Sequence, residues 1–355
     1  MKGNYHIASM QKGNRSSIFK GSDNDKESTR LKRQSDISRA DHIISHINQL
    51  RSTTRNFFLI RKAYVNYRNV VTAIRKNQYP VQVVIRRRNN TRDERRVLVS
   101  SLNELLLIAH LRDHKSLGYD PNKGLLTINL DIDSSSSFPY NSEGNKLTLD
   151  GCRNNGDVIS VFIENQYSFL PVEEKTVIDI GANIADSTIY FCLKGAARVI
   201  ALEPFPHNYV IAKKNIESNN LSAKVSLLLA GLGPNTENVS ISTEYASNHE
   251  SRARDFGEGI QIPTLTLADI IDKYDITPQN TVLKMDCEGC EYESVISAPK
   301  DVLRSFDHMQ IEYHSGYKKI KEKLEECGFK VSAERPLARR ENNLYLGFVF
   351  ATRTN

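Results

Sequence analysis

The chain has 355 residues, of which 39% are hydrophobic and 25% are charged, a composition typical of a soluble globular protein with one large domain or two ordinary ones. The five cysteines are an odd and sparse set, which argues against a secreted disulfide framework. No secretory signal is predicted at the polar N-terminus, and no stretch approaches the roughly 18 apolar residues of a membrane span. We therefore expect a cytoplasmic protein without an integral membrane segment. Any contact that it makes with a membrane is expected to be peripheral.

The net charge of +6 is distributed unevenly along the chain. Residues 1–100 hold 22 Lys and Arg against 7 Asp and Glu, whereas the remaining 255 residues hold 26 against 35. One interpretation is a solvated basic tail without a fixed fold. The other is a docking surface for an anionic partner such as a membrane face, a nucleic acid or an acidic glycan. Residues 1–50, which are mostly polar, are predicted to be the disordered basic tail.

A small α+β accessory region is predicted over residues 55–165. Apolar residues recur at spacings of three and four from Phe57 to Ile74, which indicates one face of a helix packed on its own domain. A basic amphipathic helix resting on a membrane is the alternative. Tyr79-Pro80 ends this helix, and residues 81–85 are predicted to form a strand.

The rest of the accessory region is predicted to contain one helix and two strands. Ser101 and Glu104 have the spacing of a capping box ahead of an apolar run, which indicates a short helix. Alternation from residue 126 to residue 132 predicts a strand, with a loop after it. The apolar run at 158–162 is interpreted as a second strand.

From residue 166 to the C-terminus, short apolar runs alternate with helix-like stretches. Such alternation predicts a mainly parallel sheet with helices on both faces. The predicted strands cover residues 176–180, 198–202, 225–230, 282–285, 309–311 and 344–350. Ligands of such sheets bind beyond the carboxyl ends of the strands, where we therefore expect the functional residues.

The first of these strands runs into a glycine turn and then a helix, which indicates a nucleotide-type binding turn. A dinucleotide site needs three glycines for its pyrophosphate, whereas this turn has Gly181 alone and Ala185 at the third position. This favours S-adenosylmethionine, which has no pyrophosphate, and leaves an NAD-dependent oxidoreductase as an alternative. Asp179, at the end of the strand, is expected to accept a hydrogen bond from the ammonium group of the cofactor, directly or through water.

The second strand ends in an acidic residue, Glu203, which follows the glycine turn by about 20 residues, as expected of a carboxylate that binds ribose hydroxyls. A helix-capping or solvated carboxylate is the alternative interpretation. Ala230 lies at the end of the third strand. In this sheet topology, the backbone at that position is expected to lie against the adenine of the cofactor. The predicted cofactor-binding residues are Asp179, Gly181, Asn183, Glu203 and Ala230.

Several carboxylates follow the fourth strand, over the expected cleft. Methyl transfer to a hydroxyl needs a base, because the pKa of a hydroxyl is about 15–16 as in water. It also needs in-line positioning of the acceptor oxygen. We predict that Asp286 and Glu288 serve these purposes, whereas Glu291 and Glu293 are interpreted as negative charges that begin a helix.

The fifth strand ends with Glu312 and His314, which are two residues apart and therefore point to the same side. With Asp286 they form a general base and the group that orients it, or they hold a divalent cation. The alternative is that His314 is merely hydrogen-bonded beside an acidic helix start. The predicted catalytic residues are Asp286, Glu288, Glu312 and His314, and no metal ligand is assigned.

Cys287 and Cys290 form a lone C-x-x-C. A zinc site would need a second pair of ligands, and a redox site would need a thioredoxin-like context that this sequence lacks. We interpret the two thiols as small packing residues.

Taken together, these motifs resemble the FkbM-type methyltransferases. The matching stretches are VIDIGAN at 177–183, EPFP at 203–206, KMDCEGCE at 284–291, IEYH at 311–314 and the lead-in at 162–171. The resemblance covers residues 160–350 and departs from the family at Ala185, where a glycine is usual. It implies a Rossmann-like class I methyltransferase fold at 166–355, with a seven-stranded, mostly parallel sheet. It also implies S-adenosylmethionine as donor and O-methylation of a hydroxyl on a sugar, glycan or natural product.

An RNA-binding, methyltransferase-like protein is the remaining alternative, suggested by the basic first hundred residues. Tyr64 and Tyr67 beside Arg61 and Arg68 satisfy the aromatic–basic interleaving of RNA-binding modules only superficially. The fourth-strand motif also lacks the Asn-Pro-Pro-aromatic pattern associated with base methylation. We therefore expect a small-molecule or glycan acceptor, with the basic region as a contact for an anionic surface.

Overall fold

A computed structural model describes residues 39–86, 95–112, 114–129, 146–153, 155, 157–242, 259–276, 278, 280–314, 316–334, 336, 338–340 and 344–354. The helices are α1 (Arg39–Ala63), α2 (Tyr67–Lys76), α3 (Leu102–Leu111), α4 (Asp157–Phe162), α5 (Asp186–Leu193), α6 (Pro206–Ser218), α7 (Leu267–Lys273), α8 (Glu291–Ser297), α9 (Lys300–Leu303) and α10 (Lys318–Glu326). The strands are β1 (Val81–Ile85), β2 (Arg95–Val99), β3 (Leu117–Asp120), β4 (Leu125–Asn129), β5 (Lys146–Leu149), β6 (Thr176–Ile180), β7 (Arg198–Leu202), β8 (Val225–Leu228), β9 (Gly231–Leu232), β10 (Asn238–Ser242), β11 (Gly259–Leu265), β12 (Thr281–Met285), β13 (His308–Tyr313), β14 (Phe329–Ala333), β15 (Ala338–Arg340) and β16 (Leu344–Arg353).

Seven strands form the central sheet in the order β14-β16-β13-β12-β6-β7-β8, and β15 adds an eighth by pairing with β16. Neighbours from β13 through β8 are parallel, whereas β16 is antiparallel to both β13 and β14. This topology confirms the predicted α/β, Rossmann-like fold. Because β6 lies between β12 and β7, the carboxyl ends of these strands meet at one edge, where ligands of open parallel sheets bind.

Alternation along the buried strands sends side chains to two hydrophobic clusters, one on each face of the sheet. Val177 and Val282 contribute to the cluster that also contains Phe191 of α5 and Ala212 of α6. The neighbouring Ile178, Leu283 and Ile311 contribute to the cluster packed against α7, α8 and α10. Burial of each large aliphatic side chain stabilises the fold by about 1.5–3 kcal/mol, so these clusters hold the strand ends in place.

The accessory region shares a core with the central sheet. Leu126 and Leu149 of its β3-β4-β5 sheet belong to the same buried cluster as Ile184. The side chains of Asn215, on α6, and of Asn219, just after α6, pair with the backbone of β5 and of the residue after it, as a neighbouring strand would. The side-chain amide of Asn219 bonds both N and O of Thr148, at 2.9 and 2.7 Å, and the amide of Asn215 bonds both N and O of Asp150, at 2.8 and 3.1 Å.

Two boundaries differ from prediction at the N-terminal side. Residues 39–50, placed by the sequence in a disordered tail, are helical in α1, whereas residues 1–38 lie outside the described residues. The predicted helix from Phe57 to Ile74 is two helices, because Tyr64 bridges to β1 and Val65 donates to Val84 at 2.8 Å. No helix in the described part of the chain is long and apolar enough to cross a membrane.

The run at 158–162 is helix α4 and not a strand. A short apolar run does not distinguish the two. At the helix start, the side chain of Asn155 accepts from the backbone N of Asp157 at 2.8 Å. The predicted helix after Ser101 is confirmed, with the Ser101 hydroxyl accepting from Glu104 N at 3.1 Å. Of the predicted strand at 126–132, residues 126–129 lie in β4, and 130–132 lie outside the described residues.

Candidate active site

A turn of left-handed residues joins β6 to α5. The φ angles are 77° at Gly181, 50° at Asn183 and 70° at Ala185. A Cβ atom on Gly181 would lie 1.8 Å from the backbone oxygen of Asp286, so glycine is required because the end of β12 packs against it. Ala185 holds a conformation that costs a residue other than glycine about 1–2 kcal/mol, and its methyl group is fully buried in the core.

Asp179 is fully buried and surrounded by donors. Its Oδ2 accepts from the hydroxyls of Ser187 and Thr188, each at 2.7 Å, and its Oδ1 lies 3.0 Å from Nζ of Lys284. We predicted that this carboxylate accepts from the ammonium group of the cofactor, directly or through water. In the structure its oxygens face Lys284 and the start of α5, so the carboxylate also supports the turn.

Lys284 is itself buried on β12 and contacts both Asp179 and the backbone of the glycine turn. Its Nζ donates to the backbone oxygens of Ile180 and Gly181, at 3.1 and 2.6 Å. Burial lowers the pKa of this ammonium, but the carboxylates of Asp179 and Asp286 raise it more, so the net pKa is raised. The lysine therefore remains charged and compensates the surrounding carboxylates.

The Glu203 carboxylate lies at the carboxyl end of β7 and touches the turn. Its two oxygens accept from the backbone N of Asn183 at 2.8 Å and of Phe205 at 2.9 Å. Burial raises the pKa of Glu203 to about 7, against the lowering effect of these hydrogen bonds. The residue thus holds the turn in shape, and each oxygen retains capacity for a further hydrogen bond. Ala230, between β8 and β9, is also buried at this edge.

Unsatisfied polar atoms lie beside this turn, at positions for which no function was predicted. Oδ2 of the buried Asp186 and Nδ2 of the buried Asn155 have no hydrogen-bond partner among the described residues. Asp157 accepts from Nδ2 of Asn183 at 3.1 Å. Burial, and then the charge of Asp157, raise the pKa of Asp186 well above its usual range.

The four predicted catalytic residues come together at the carboxyl ends of β12 and β13. Nε2 of His314 lies 3.8 Å from Asp286 and 3.5 Å from Glu288. One ligand atom each from Asp286, Glu312 and His314 lies within 4.8 Å of the others. Burial, followed by the charge of Asp286, raises the pKa of Glu312 well above its usual range. The site therefore concentrates negative charge next to one imidazole.

Glu291 corrects a sequence interpretation. It does begin helix α8, but it is fully buried and more than a helix-starting charge. Its Oε1 lies 3.2 Å from Nδ1 of His314 and accepts from His314 N at 3.2 Å, while Oε2 accepts from Gly289 N at 2.8 Å. The carboxylate thus fixes the imidazole and the loop after β12 together. The interpretation holds for Glu293, which is exposed on the same helix.

Cys287 and Cys290 form a disulfide, so the prediction of two unpaired packing thiols was wrong. Between them, Glu288 and Gly289 both have positive φ, 56° and 128°. This tight turn brings the two Cα atoms to 5.6 Å, within the range that a disulfide spans. The bond closes the loop that carries Glu288.

The sequence from the end of β6 to β14 matches a known family. Residues 179–331 match the family model described as the Methyltransferase FkbM domain. The match spans the glycine turn after β6, Glu203, the carboxylates after β12 and His314.

Residues 179–331, which match the FkbM methyltransferase model, are called the FkbM domain below.

This match confirms the family resemblance and the enzyme class, an S-adenosylmethionine-dependent methyltransferase. The identification rests on it, since no curated protein matches the sequence.

Solved structures with similarity to the chain are distant from it. An FkbM methyltransferase from Methylobacillus flagellatus KT is 16% identical, with a TM-score of 0.37 over 54% of this chain and 47% of that one. A precorrin-6y C5,15-methyltransferase from Geobacter metallireducens GS-15 is 14% identical, with a TM-score of 0.35 over 54% and 86%. TYW2 from M. jannaschii, in complex with AdoMet, is 16% identical, with a TM-score of 0.34 over 59% and 83%.

The accessory region carries a cationic groove outside the FkbM domain. The groove encloses about 510 Å³ and is lined by Phe58, Arg61, Lys62, Arg86 and Arg112. Arg86 donates to the backbone oxygen of Tyr64 at 3.3 Å, and Arg112 donates to that of Lys62. Both arginines thus satisfy carbonyls at and just after the C-terminal end of α1 while presenting positive charge to the groove.

The sequence predicted no functional role for the side chains of five site residues: Lys284, Asp186, Glu291, Asn155 and Asp157. A lysine inside the apolar run of β12 is a signal, because lysine is almost never fully buried unless it is paired. Asp186 and Glu291 carry no comparable signal, since an acidic residue in the first turn of a helix is ordinary.

Proposed function

We propose that the FkbM domain transfers the methyl group of S-adenosylmethionine to a hydroxyl of a sugar, glycan or other natural product. One observation carries the proposal. Asp286, Glu288 and Glu312 converge with His314 at the strand edge that also holds the glycine turn. A base is therefore available where the sheet topology leads us to expect the donor.

The polar atoms around the turn fit the amino-acid part of the donor. That part is a zwitterion, whose ammonium group needs acceptors and whose carboxylate needs donors. The unpartnered Oδ2 of Asp186, with Asp157 nearby, supplies acceptors, and the unpartnered Nδ2 of Asn155 supplies a donor. An orphaned buried polar atom costs about 1–3 kcal/mol, so a ligand that bonds these atoms binds more tightly.

The other cofactor contacts follow the carboxyl edge of the sheet. Glu203 is proposed to accept from the ribose hydroxyls with its remaining lone pairs, and the backbone at Ala230 to contact the adenine. Gly181 and Asn183 shape the turn between these groups, and Asp179 acts through Lys284 and the start of α5.

S-adenosylmethionine supplies an electrophilic methyl group on a sulfonium. The acceptor oxygen forms a C–O bond as the C–S bond breaks, and the bonding electron pair stays on sulfur. The hydroxyl proton passes to Asp286 or Glu288, whose side chains are 21% and 29% exposed and so reach the acceptor. His314 and Glu312 hold these carboxylates in place, as in-line transfer requires.

Methyl-labelled S-adenosylmethionine tests this proposal. The protein is incubated with the donor and with separate glycan, small-molecule and RNA fractions. We expect label in the glycan or small-molecule fraction as a methyl ether, which survives mild alkali where an ester does not. Asp286→Asn should reduce transfer by about 100-fold or more, as loss of a general base does. Label that appears solely in ribonuclease-sensitive material would contradict the proposed acceptor.

A second candidate, RNA as the acceptor, is favoured by the cationic groove. Phe58 is 58% exposed and lies with Arg61 and three other cations, a combination that suits base stacking and phosphate contact. Fluorescence anisotropy with single-stranded RNA tests it. Phe58→Ala and Arg61→Glu should each weaken binding, and Arg61→Glu should also reduce its salt dependence, whereas Arg75→Glu, an exposed change on α2, should do neither. Equal effects of all three variants would exclude the groove as an RNA site.

A further inference from the structure

A cluster of metal-ligand atoms lies beside the proposed methyl-transfer position. Asp286 follows β12, and Glu312 and His314 stand at the end of the neighbouring parallel strand β13. We propose that Asp286, Glu312 and His314 bind a divalent cation of the Mn²⁺ type that orients the acceptor hydroxyl. This inference rests on the proposed function, since it assigns the cation to the same acceptor.

The imidazole supplies an observation independent of the acidic cluster. Nε2 of His314 has no hydrogen-bond partner in the described part of the chain, and the residue is 2% exposed. Its other nitrogen, Nδ1, contacts the buried carboxylate of Glu291 at 3.2 Å. In proteins, a metal-binding histidine typically donates from one ring nitrogen to a carboxylate and binds the metal with the other. Here Nδ1 contacts the carboxylate of Glu291, and Nε2 faces the carboxylate oxygens of the proposed site.

The spacing of the ligand atoms suits one ion. Bonds of about 2.0–2.2 Å to oxygen and nitrogen place two ligand atoms of a shell roughly 3–4.3 Å apart. The three ligand atoms already lie within 4.8 Å of one another, so side-chain rotation suffices to close the shell. Asp286 is 21% exposed, which leaves room for water or an acceptor oxygen, as in an open catalytic site.

The ligand set indicates the class of cation. Two carboxylates favour Mg²⁺ or Mn²⁺, and an imidazole favours a transition metal, so Mn²⁺ satisfies both preferences. A cation at this position withdraws electron density from the acceptor hydroxyl and lowers its pKa, as it does for bound water. Glu288, 3.5 Å from His314 Nε2 and outside the proposed ligand set, then receives the proton.

Electron paramagnetic resonance of Mn²⁺ measures binding without reference to activity. Free Mn²⁺ gives a sharp signal that broadens when the ion is bound to the metal-free full-length protein. We expect one Mn²⁺ per chain, with binding lost in Glu312→Gln. Glu291→Gln should weaken binding by about 10- to 100-fold, because it removes the partner that orients the imidazole. Glu293→Gln, an exposed change on the same helix, is the matched control and should bind as the wild type does.

Calorimetry with S-adenosylhomocysteine, run on the same samples, separates the two proposals. If the protein binds S-adenosylhomocysteine but leaves the Mn²⁺ signal sharp, the cation site is overturned and the proposed function stands. Mn²⁺ binding that is unchanged in Glu312→Gln would equally overturn it. Protein that binds Mn²⁺ at this site but no nucleoside would contradict the proposed function alone.

Discussion

The buried carboxylate of Glu291 holds the imidazole of His314 by two contacts, to Nδ1 and to the backbone N, each at 3.2 Å. Glu291 begins α8 and His314 follows β13, so this pair ties the loop after β12 to the end of the neighbouring strand. The orientation of the ring toward Asp286 and Glu288 depends on this contact.

The same pair predicts how the stability of the metal-free protein depends on pH. Burial lowers the pKa of His314, but Glu291, Glu312 and Glu288 raise it more, to about 10. Because the folded pKa lies above that of the unfolded chain, the protonated ring stabilises the fold below about pH 6.5, and this stabilisation is lost as the pH rises toward 10. In urea with chelator, the free energy of unfolding should fall by roughly 1–3 kcal/mol more for the wild type than for His314→Gln from pH 7 to pH 10. Equal pH slopes for the two proteins would refute this role of the ring.

The ion pair of Asp179 with Lys284 predicts a large loss of stability in Asp179→Asn. The change keeps the shape of the side chain but leaves a buried ammonium without its carboxylate, which costs about 3–5 kcal/mol. Urea unfolding measures the loss. Glu217→Gln, which removes one partner of an exposed pair 3.9 Å long on α6, is the control and should change stability by less than about 1 kcal/mol.

Asn215 predicts a second stability effect, through the accessory region. Its side chain bonds N and O of Asp150 and donates to the backbone oxygen of Ile184 at 2.8 Å. Asn215→Ala should destabilise the fold by about 2 kcal/mol or more, because it leaves buried backbone groups unpaired. Ser218→Ala, exposed on the same helix, should be nearly neutral in the same thermal or urea experiment. Similar losses in both variants would show that α6 is sensitive to any change.

The disulfide predicts the number of free thiols. Of the five cysteines, Cys152, Cys192 and Cys327 are free and buried, and Cys287 is bonded to Cys290. Protein purified without reductant should therefore react with none of its thiols when native and with three when denatured. Five reactive thiols in denaturant would show that the C-x-x-C is reduced.

The central sheet and the place of the site were predictable because both depend on local patterns. Apolar runs of strand length, separated by helical stretches, predict the parallel strands, and acidic residues at or just after the carboxyl ends of β7, β12 and β13 necessarily share one edge. Gly181 was predicted to contact the cofactor, and the structure adds a second reason for glycine there, the backbone oxygen of Asp286 just after β12.

The roles that were missed arise from contacts between distant segments. Glu291 differs from Glu293 because it contacts His314, which follows β13. The sequence pattern around Glu291 does not predict that contact. Lys284 and Asp179 meet because their strands pair in register. Residues 158–162 are helical, and their short apolar run does not distinguish a helix from a strand.

Calorimetric binding of S-adenosylmethionine and S-adenosylhomocysteine tests the central claim most directly. We predict that the wild type binds both with one site per chain. Affinity should fall about tenfold or more in Asp186→Asn and in Glu203→Gln, since each change removes a carboxyl oxygen that accepts a hydrogen bond from the ligand, and should be unchanged in Glu217→Gln. A folded wild type that binds neither ligand would contradict the assignment of this strand edge as a methyl-donor site.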